Sequence, residues 1–267
     1  MKRYLLVFIL MAVCLFSLSS CITMTLLNLS MHSKDNLYDE RGCSKSVFTV
    51  AQGKTIRFSR ANIYGHYSDP SKYSKRYGEE KYGTGWYFAS SCFECRGGND
   101  SEKYKYGECN DVRFNHGGKV IEGYRLLSAE EWNYLLFRRK ASTINGVANA
   151  RFVICKVEYK KGIIIFPDQY KHPKSVPEIF SANDESGFSN DNSFNDSEWE
   201  KMEKAGAVFI VEPCTMYSTC PQGYLTSSKN NVGEVGFLCF PNNVFKKLGI
   251  RWYSDRSKGL ARLVVDN

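Results

Sequence analysis

One local pattern occurs twice in this chain, and it restricts the fold more than any other feature. Ser128 is followed three residues later by Glu131, in SAEEW, and Asn195 is followed at the same spacing by Glu198, in NDSEW. A Ser or Asn at a helix N-cap and a Glu three residues on can each bind the other's backbone N–H group, which forms a capping box. The pattern therefore predicts two helices, each with a defined first turn.

An apolar residue before each cap and a Trp after it strengthen this prediction. Leu127 can pack on Trp132, and Phe194 can pack on Trp199, as the hydrophobic staple that sets the angle at which a chain enters a helix. A Trp is large enough to dominate its local core. We expect the repeated Glu and Trp residues to be structural, because capping and stapling account for all four.

Most of the remaining chain has the pattern of short strands and long polar loops. A hairpin is expected over Ser46–Ser59 with its turn at Gly53, a turn at Asn145–Gly146, and two β-rich runs over Ala150–Asp168 on either side of Lys160–Gly162. The second of these runs is wholly apolar, which is typical of a central strand. Other strands are expected at WYFA, AVFIVEPC, EVGFLCF, IRWYS and GLARLVV. The chain is therefore predicted to be α+β, with two short helices, small antiparallel sheets and many loops.

The N-terminus has the layout of an export signal. Two basic residues precede an apolar run, and Leu-Ser-Ser-Cys, ending at Cys21, resembles the bacterial lipobox, in which the signal is cut before the Cys and the Cys is acylated. Several acyl chains hold a protein stably on a membrane. Two alternatives remain open: apolar residues resume at Ile22–Leu29, which favours an uncleaved transmembrane anchor, and the signal also fits ordinary secretion.

These features divide the chain into three parts. Residues Met1–Ser20 are predicted to be a lipoprotein signal peptide, Cys21–Ser46 the lipidated Cys and a polar tether, and Val47–Asn267 a folded domain. The 267 residues, 43% of them hydrophobic, are enough for a sizeable core. The formal charge of +8 is spread along the chain without a dense basic tract, so we expect no nucleic-acid partner.

Cysteine usage agrees with export. Once Cys14 has left with the signal and Cys21 carries lipid, eight Cys remain, an even number that favours structural disulfides over free thiols. Three of them lie near a histidine in a pattern with some likeness to a metal site: Cys92, Cys95, Cys109 and His116. Only the first pair has tight ligand spacing, so we expect no metal there.

The order of these parts resembles a family of bacterial surface lipoproteins whose domain is similar to the formylglycine-generating-enzyme branch of the C-type-lectin fold. The resemblance is carried by RLLSAEEWNYLL, INGVANARF, GIIIFPD, NDSEWEKMEKAGAVFI and ARLVVDN, and it covers about Val47–Asn267. It implies a C-type-lectin-like domain in which the two Trp helices flank a small twisted sheet. It implies little about activity, because this fold serves enzymes, sugar binders and protein-binding surfaces alike.

Departures from the family pattern argue against catalysis. The enzyme branch binds copper through two Cys with four residues between them, whereas Cys214 and Cys220 have five. The family's Tyr-Trp-Ser-Ser-like strand is replaced by Gly236–Phe240, which puts any binding function of that strand in doubt. No Gly-x-Ser-x-Gly, His-Glu-x-x-His or phosphate-loop motif is present. Asn183–Asn192 offers oxygen ligands for calcium but lacks an EF-hand pattern. We therefore expect no catalytic residues, metal or cofactor.

The sequence favours a non-catalytic binding module, displayed in the cell envelope by a lipid anchor on the outer membrane or cell surface. Its expected ligand is a glycan or an envelope protein. Four aromatic residues are the candidate ligand contacts, because they lie in a segment in which aromatic residues are interleaved with Gly, Ser, Asn and Lys, and because a Tyr or Trp offers a rigid apolar face with a polar tip; they are Tyr217, Tyr224, Trp252 and Tyr253. The alternative is a structural or assembly protein of the envelope that binds no small ligand.

Overall fold

The computed structural model describes residues 37–39, 43–63, 112–116, 119–186, 192–212, 223–241, 246–253 and 261–267. Within these ranges the chain is mixed α+β and consists mostly of β-sheet, as predicted. The strands are β1 Phe48–Ala51, β2 Lys54–Ile63, β3 Val112–His116, β4 Lys119–Leu126, β5 Phe152–Val157, β6 Lys160–Ile165, β7 Ser193–Phe194, β8 Val208–Val211, β9 Tyr224–Lys229, β10 Val235–Cys239, β11 Gly249–Tyr253 and β12 Ala261–Asp266. The helices are α1 Ala129–Asn133, which continues as a π-helical turn Tyr134–Arg138, and α2 Asp196–Lys204.

The strands form three small sheets. A five-stranded sheet has the order β1-β2-β12-β4-β3, a four-stranded sheet the order β7-β5-β6-β8, and a three-stranded sheet the order β11-β10-β9. Neighbouring strands are antiparallel as predicted, except that β5 and β7 are parallel. Strand β6 lies between β5 and β8, which confirms the central position expected from its apolar run.

The helix caps confirm the prediction made from the repeated pattern. Ser128 Oγ accepts a hydrogen bond from Glu131 N at 3.0 Å, and Ser128 N donates to Glu131 Oε2 at 2.8 Å. Asn195 and Glu198 make the same reciprocal pair at 3.0 and 2.7 Å. Both Trp side chains lie in the core, as expected of staples. In the described part of the chain, neither helix has the length and apolar character needed to cross a membrane.

Two of the three predicted turns are confirmed and one is displaced. Gly53 has a φ of 71° in the β1–β2 turn, and Asn145 and Gly146 turn the chain with φ angles of 47° and 80°. The β5–β6 turn lies at Glu158–Tyr159, so the expectation of Lys160–Gly162 is wrong. Gly162 is instead inside β6, because the adjacent β8 backbone and the Phe209 ring leave no room there for a side chain.

The four-stranded sheet is buried on both faces, and alternate residues of its strands enter two different cores. Phe152 and Ile154 face a core shared with the other two sheets and with α1. Val153 and Cys155 face a second core beneath α2. Because strand side chains alternate between faces, near-continuous apolar runs such as those of β5 and β6 are what a doubly covered sheet requires.

The packed body also includes part of the segment predicted to be a tether. The Tyr38 hydroxyl donates to Glu203 of α2 at 2.5 Å, and Asp39 makes an ion pair with Arg57 of β2 at 2.9 Å. Cys43 is buried, with its sulfur 2.8 Å from Tyr124 Oη. These contacts place described residues N-terminal to Val47, which the sequence assigned to the tether, in the packed body.

The described cysteines are thiols rather than disulfides. Cys43, Cys155 and Cys239 are all buried, and none forms a disulfide. Burial raises the pKa of the Cys239 thiol to about 11 and that of Cys155 further still. The disulfide expectation is not met at these three positions; the remaining five lie outside the described residues, namely Cys92, Cys95, Cys109, Cys214 and Cys220.

Candidate functional site

A polar cleft of about 1010 Å³ opens where the β1–β2 turn, helix α1 and the end of β12 meet. Most of its charged and polar lining belongs to two groups of side chains. The first group is a set of linked charges, here called the ionic network: Lys54, Arg125, Glu131 and Asp266. The second group lies along α1 and its π-helical extension, here called the helix face: Glu130, Asn133, Tyr134 and Arg138.

Glu131 is the centre of the ionic network. Its Oε1 accepts hydrogen bonds from Arg125 Nη2 and Lys54 Nζ, both at 2.9 Å. Its Oε2 accepts from Arg125 Nη1 at 2.7 Å and from the backbone N–H of Ser128 at 2.8 Å. The residue that caps helix α1 is thus also tied to two strands, and both of its oxygens are fully occupied.

The guanidinium of Arg125 is likewise fully hydrogen-bonded. Besides Glu131, its guanidinium donates to Asp266, with an Nη2–Oδ1 distance of 2.6 Å, and to the carbonyl oxygen of Leu126 at 3.1 Å. A guanidinium has five N–H donors, and these contacts use all of them. The network therefore joins β4, α1 and the last strand through one bidentate ion pair and its neighbours.

The network favours the charged forms of Glu131 and Arg125. Burial alone opposes the charge on Glu131, but hydrogen bonds from Arg125 and Lys54 outweigh it and lower the pKa of the carboxyl group. Burial likewise opposes the charge on Arg125, while hydrogen bonds to Asp266 and Glu131 outweigh it and raise the pKa of the guanidinium. A carboxylate that stays ionised and saturated is poorly suited to general acid or base chemistry, so the network is a rigid wall for the cleft.

The helix face consists of side chains that are not committed to other contacts. Glu130, Tyr134 and Arg138 follow one another at intervals of four residues, and a π-type hydrogen bond from Arg139 N to Tyr134 O, 2.9 Å long, widens the last turn. The side chains of the helix face make no hydrogen bond or ion pair with any residue in the described ranges. Such π-helical turns occur frequently at functional sites. Polar groups that line a cleft without a partner are available to a ligand.

The charges around the cleft balance. Three cationic side chains, Lys54, Arg125 and Arg138, face three anionic ones, Glu130, Glu131 and Asp266. The lining itself therefore carries no excess charge of either sign.

A second buried ion pair lies behind the helix and is structural. Arg139 has no exposed surface; its guanidinium pairs with Asp168 and its Nε donates to Leu135 O at 2.7 Å. Asp168 also accepts a hydrogen bond from Thr49 N at 3.0 Å. Burial lowers the pKa of Arg139, and the charge of Asp168 opposes this effect. The pair connects the π-helical turn to β1 and to the chain after β6.

Three of the four aromatic residues expected to contact ligand lie in strands. Tyr224, in β9, has no exposed surface, and its hydroxyl donates to Val211 O at 2.7 Å. It therefore cannot offer a ring face to a ligand, and its selection as a contact residue is wrong for this structure. Long-range packing against β8 buries it, which its local sequence does not indicate.

Trp252 and Tyr253, the other expected contact residues that the structure describes, pack against different neighbours. Trp252, in β11, is 39% exposed, and its ring lies across Gly236 of the neighbouring strand. Tyr253, also in β11, is half-buried and packs edge-on against Phe237, with ring centroids 5.4 Å apart. Tyr217 and the expected lipidation site Cys21 lie outside the described residues.

The described part of the chain contains no group of three or more His, Cys, Asp or Glu side chains placed to hold a metal ion. In the segment considered for calcium, Asp184 accepts hydrogen bonds from Ser186 N at 2.8 Å and from Ser186 Oγ at 2.6 Å. These bonds lower the pKa of Asp184 and are those of a turn.

Sequence reasoning missed the helix face and the ionic network for different reasons. The four-residue spacing of Glu130, Tyr134 and Arg138 on a predicted helix is a detectable signal, because such residues share one face. The network is not detectable in this way. Lys54 of β2 and Asp266 of β12 are far apart in the sequence, and they come close only because β2 and β12 pair in the five-stranded sheet. Comparison of the chain with protein-family models, with curated proteins and with solved structures gives no match.

Proposed function

We propose that this chain is a surface lipoprotein, anchored by acylated Cys21, whose folded domain binds a glycan or protein ligand in the cleft without chemical turnover. The observation that carries this proposal is the pairing of a saturated ionic network with an uncommitted helix face. A rigid polar wall needs no rearrangement when a ligand enters, and pre-organisation of this kind lowers the cost of binding.

We further propose that the domain has the C-type-lectin-like architecture implied by the sequence resemblance. Support comes from the two capped Trp helices at the predicted positions and from small antiparallel sheets.

Membrane attachment is tested at Cys21. In cells fed a labelled fatty acid, the unaltered chain is expected to carry the label and to sediment with membranes, and Cys21→Ala is expected to lose both properties. Unchanged labelling of the variant would refute lipidation at this residue. Loss of the label with continued membrane retention would favour an uncleaved anchor.

Ligand binding is tested with the full chain in detergent, on a panel of glycans and envelope proteins. Tyr134→Ala is expected to weaken binding at least tenfold to whichever member binds the unaltered chain. Tyr159→Ala is the matched control, because Tyr159 is 81% exposed and sits in the β5–β6 turn, away from the cleft lining. Trp252→Ala tests, in the same assay, whether the ligand binds instead at the aromatic residues that the sequence predicted as contacts.

The outcomes separate the candidate functions. Loss of binding in Trp252→Ala but not in Tyr134→Ala would move the site to β11. Multiple turnover of any panel member would overturn the non-catalytic proposal. Stable self-assembly with no ligand on the panel would favour a structural or assembly role in the envelope.

A further inference from the structure

We propose that the cleft binds an uncharged sugar residue and that it does so without a metal ion. This rests on the proposed binding function and names the ligand class of the same cleft. Four properties of the cleft, namely its charge, its hydrogen-bonding groups, its one aromatic side chain and the state of its carboxylates, lead to the same class.

The charge balance disfavours ionic ligands. A phosphate or sulfate group that enters the cleft finds carboxylates as well as cations in its lining, namely those of Glu130 and Asp266. A cationic group would meet Lys54 and Arg138 in the same way. Repulsion by side chains of the same charge disfavours binding of an ionic ligand. A ligand without net charge is repelled by none of the charged side chains in the lining.

The uncommitted groups match hydroxyl groups, which both donate and accept hydrogen bonds. Glu130 offers acceptors, Arg138 offers donors, and the Asn133 amide offers both within one side chain. Ser227 of β9 adds a hydroxyl group to the lining. A ring that carries several neighbouring hydroxyl groups can satisfy this mixed set, whereas a ligand with acceptors only, or with donors only, cannot.

Tyr134 gives the cleft an aromatic surface between these polar groups. The residue is partly exposed and, within the described residues, its hydroxyl has no hydrogen-bond partner. An aromatic ring offers an apolar face beside a polar tip, and the C–H face of a sugar ring is the matching surface of an otherwise polar molecule. Val50 and Ala51 add apolar lining on the strand side.

The carboxylates of the cleft are too committed to hold calcium. Calcium takes six to eight oxygen ligands, several of them from carboxylates. Both oxygens of Glu131 are filled by Arg125, Lys54 and the Ser128 N–H group, and Asp266 accepts from Arg125. Of the three carboxylates in the lining, only Glu130 remains uncommitted, so hydroxyl recognition here rests on side-chain hydrogen bonds alone.

The experiment uses the full chain in detergent and immobilised oligosaccharides that end in neutral hexoses or N-acetylhexosamines. Matched oligosaccharides that end in uronic or sialic acid are presented beside them. Binding to at least one neutral sugar is expected, with at least tenfold weaker binding to its acidic counterpart. Treatment with EDTA is expected to change the affinity by less than twofold.

Variants test the roles of individual side chains. Tyr134→Ala and Asn133→Ala are each expected to weaken binding at least tenfold, whereas Tyr134→Phe keeps the ring and is expected to lose less than threefold. Tyr159→Ala is expected to bind like the unaltered chain. Circular dichroism and a thermal melt of each variant exclude unfolding as the cause.

Each contrary result has a defined meaning. Binding that requires an acidic sugar, or that EDTA abolishes, would overturn the inference. Binding of an envelope protein through Tyr134, with no sugar bound, would also overturn it while leaving the proposed binding function intact. Binding to neither class, in protein that is folded by circular dichroism, would refute both.

Discussion

Replacing Glu131 with Gln removes the charge at the centre of the ionic network while keeping the shape of the side chain. The variant retains an oxygen that can accept the Ser128 N–H group, so the helix cap itself survives in part. What it loses is the bidentate pair with Arg125 and the contact with Lys54. We expect Glu131→Gln to lower the free energy of unfolding by about 3 kcal/mol, the lower part of the range for breaking a buried ion pair from one side.

The magnitude follows from the burial and the remaining contacts of Arg125. Both side chains of the pair are only 11% exposed, so water compensates little when one charge is removed. Asp266 still accepts a hydrogen bond from Arg125 in the variant. The loss of unfolding free energy is therefore smaller than if the Arg125 charge had no anionic partner. Asp266 is 56% exposed and therefore compensates only in part.

The chain contains its own control, because α2 begins with the same capping box. Glu198 binds the backbone N–H group of Asn195 at 2.7 Å, but these hydrogen bonds are solvent-exposed and Glu198 has no ion pair with any described residue. Glu198→Gln removes one charge from the same structural motif, and we expect it to cost about 1 kcal/mol or less.

The effect of Glu131→Gln is also expected to depend on pH. The folded state lowers the pKa of Glu131, so its charge stabilises the fold above the unfolded pKa of about 4.3 and stops doing so as the pH falls through the lower folded pKa. Urea unfolding followed by circular dichroism should therefore show the largest difference between the variant and the unaltered chain at pH 7, and a smaller one at pH 3.5. The reasoning would be refuted if both Gln variants lost the same unfolding free energy at pH 7. It would also be refuted if the difference between Glu131→Gln and the unaltered chain did not change with pH.

Two further substitutions test the packing. Trp132→Ala and Trp199→Ala should each lower the free energy of unfolding, measured in urea, by about 3–5 kcal/mol. The corresponding Phe variants should lose clearly less, since neither buried indole N–H group has a partner in the described structure. Losses below about 1 kcal/mol in both Ala variants would contradict the core positions. Gly206→Ala should cost about 2–4 kcal/mol, because a φ of 96° disfavours a side chain and Ser46 occupies the space of the added methyl group. Gly233→Ala, with a φ of 81° and open space around it, should cost only about 1–2 kcal/mol, and equal losses at the two glycines would show that Ser46 does not pack there.

The features that the sequence predicted correctly depend on residues a few positions apart. A capping box is complete within four residues, so both helix starts were found in the right place. The turn at Asn145–Gly146 is equally local, because it needs only two residues that tolerate positive φ. Features of this kind are fixed by short-range sterics and hydrogen bonds, which the sequence displays directly.

The features that were missed depend on contacts made across the fold. Tyr224 sits in an aromatic and polar stretch that resembles an exposed loop, yet it is buried against β8 through a hydrogen bond to Val211. Gly162 looked like part of a turn, but it is needed where two strands pack closely. In both cases the position of the residue is determined by contact with β8, which is distant in sequence, and not by the adjacent residues in the chain.

The capping box of α1 links the stability of the domain to its proposed function. The same carboxylate that caps the helix is bound to β2 and to β4, so the helix face is held against the strands that complete the cleft. Glu131→Gln should therefore weaken sugar binding as well as stability, even though Glu131 has no group left for a ligand. Glu198→Gln disturbs an equivalent cap on a helix that does not line the cleft, and should leave binding unchanged. Measured on folded protein at pH 7, equal binding by the two variants would show that the network supports the fold without organising the cleft.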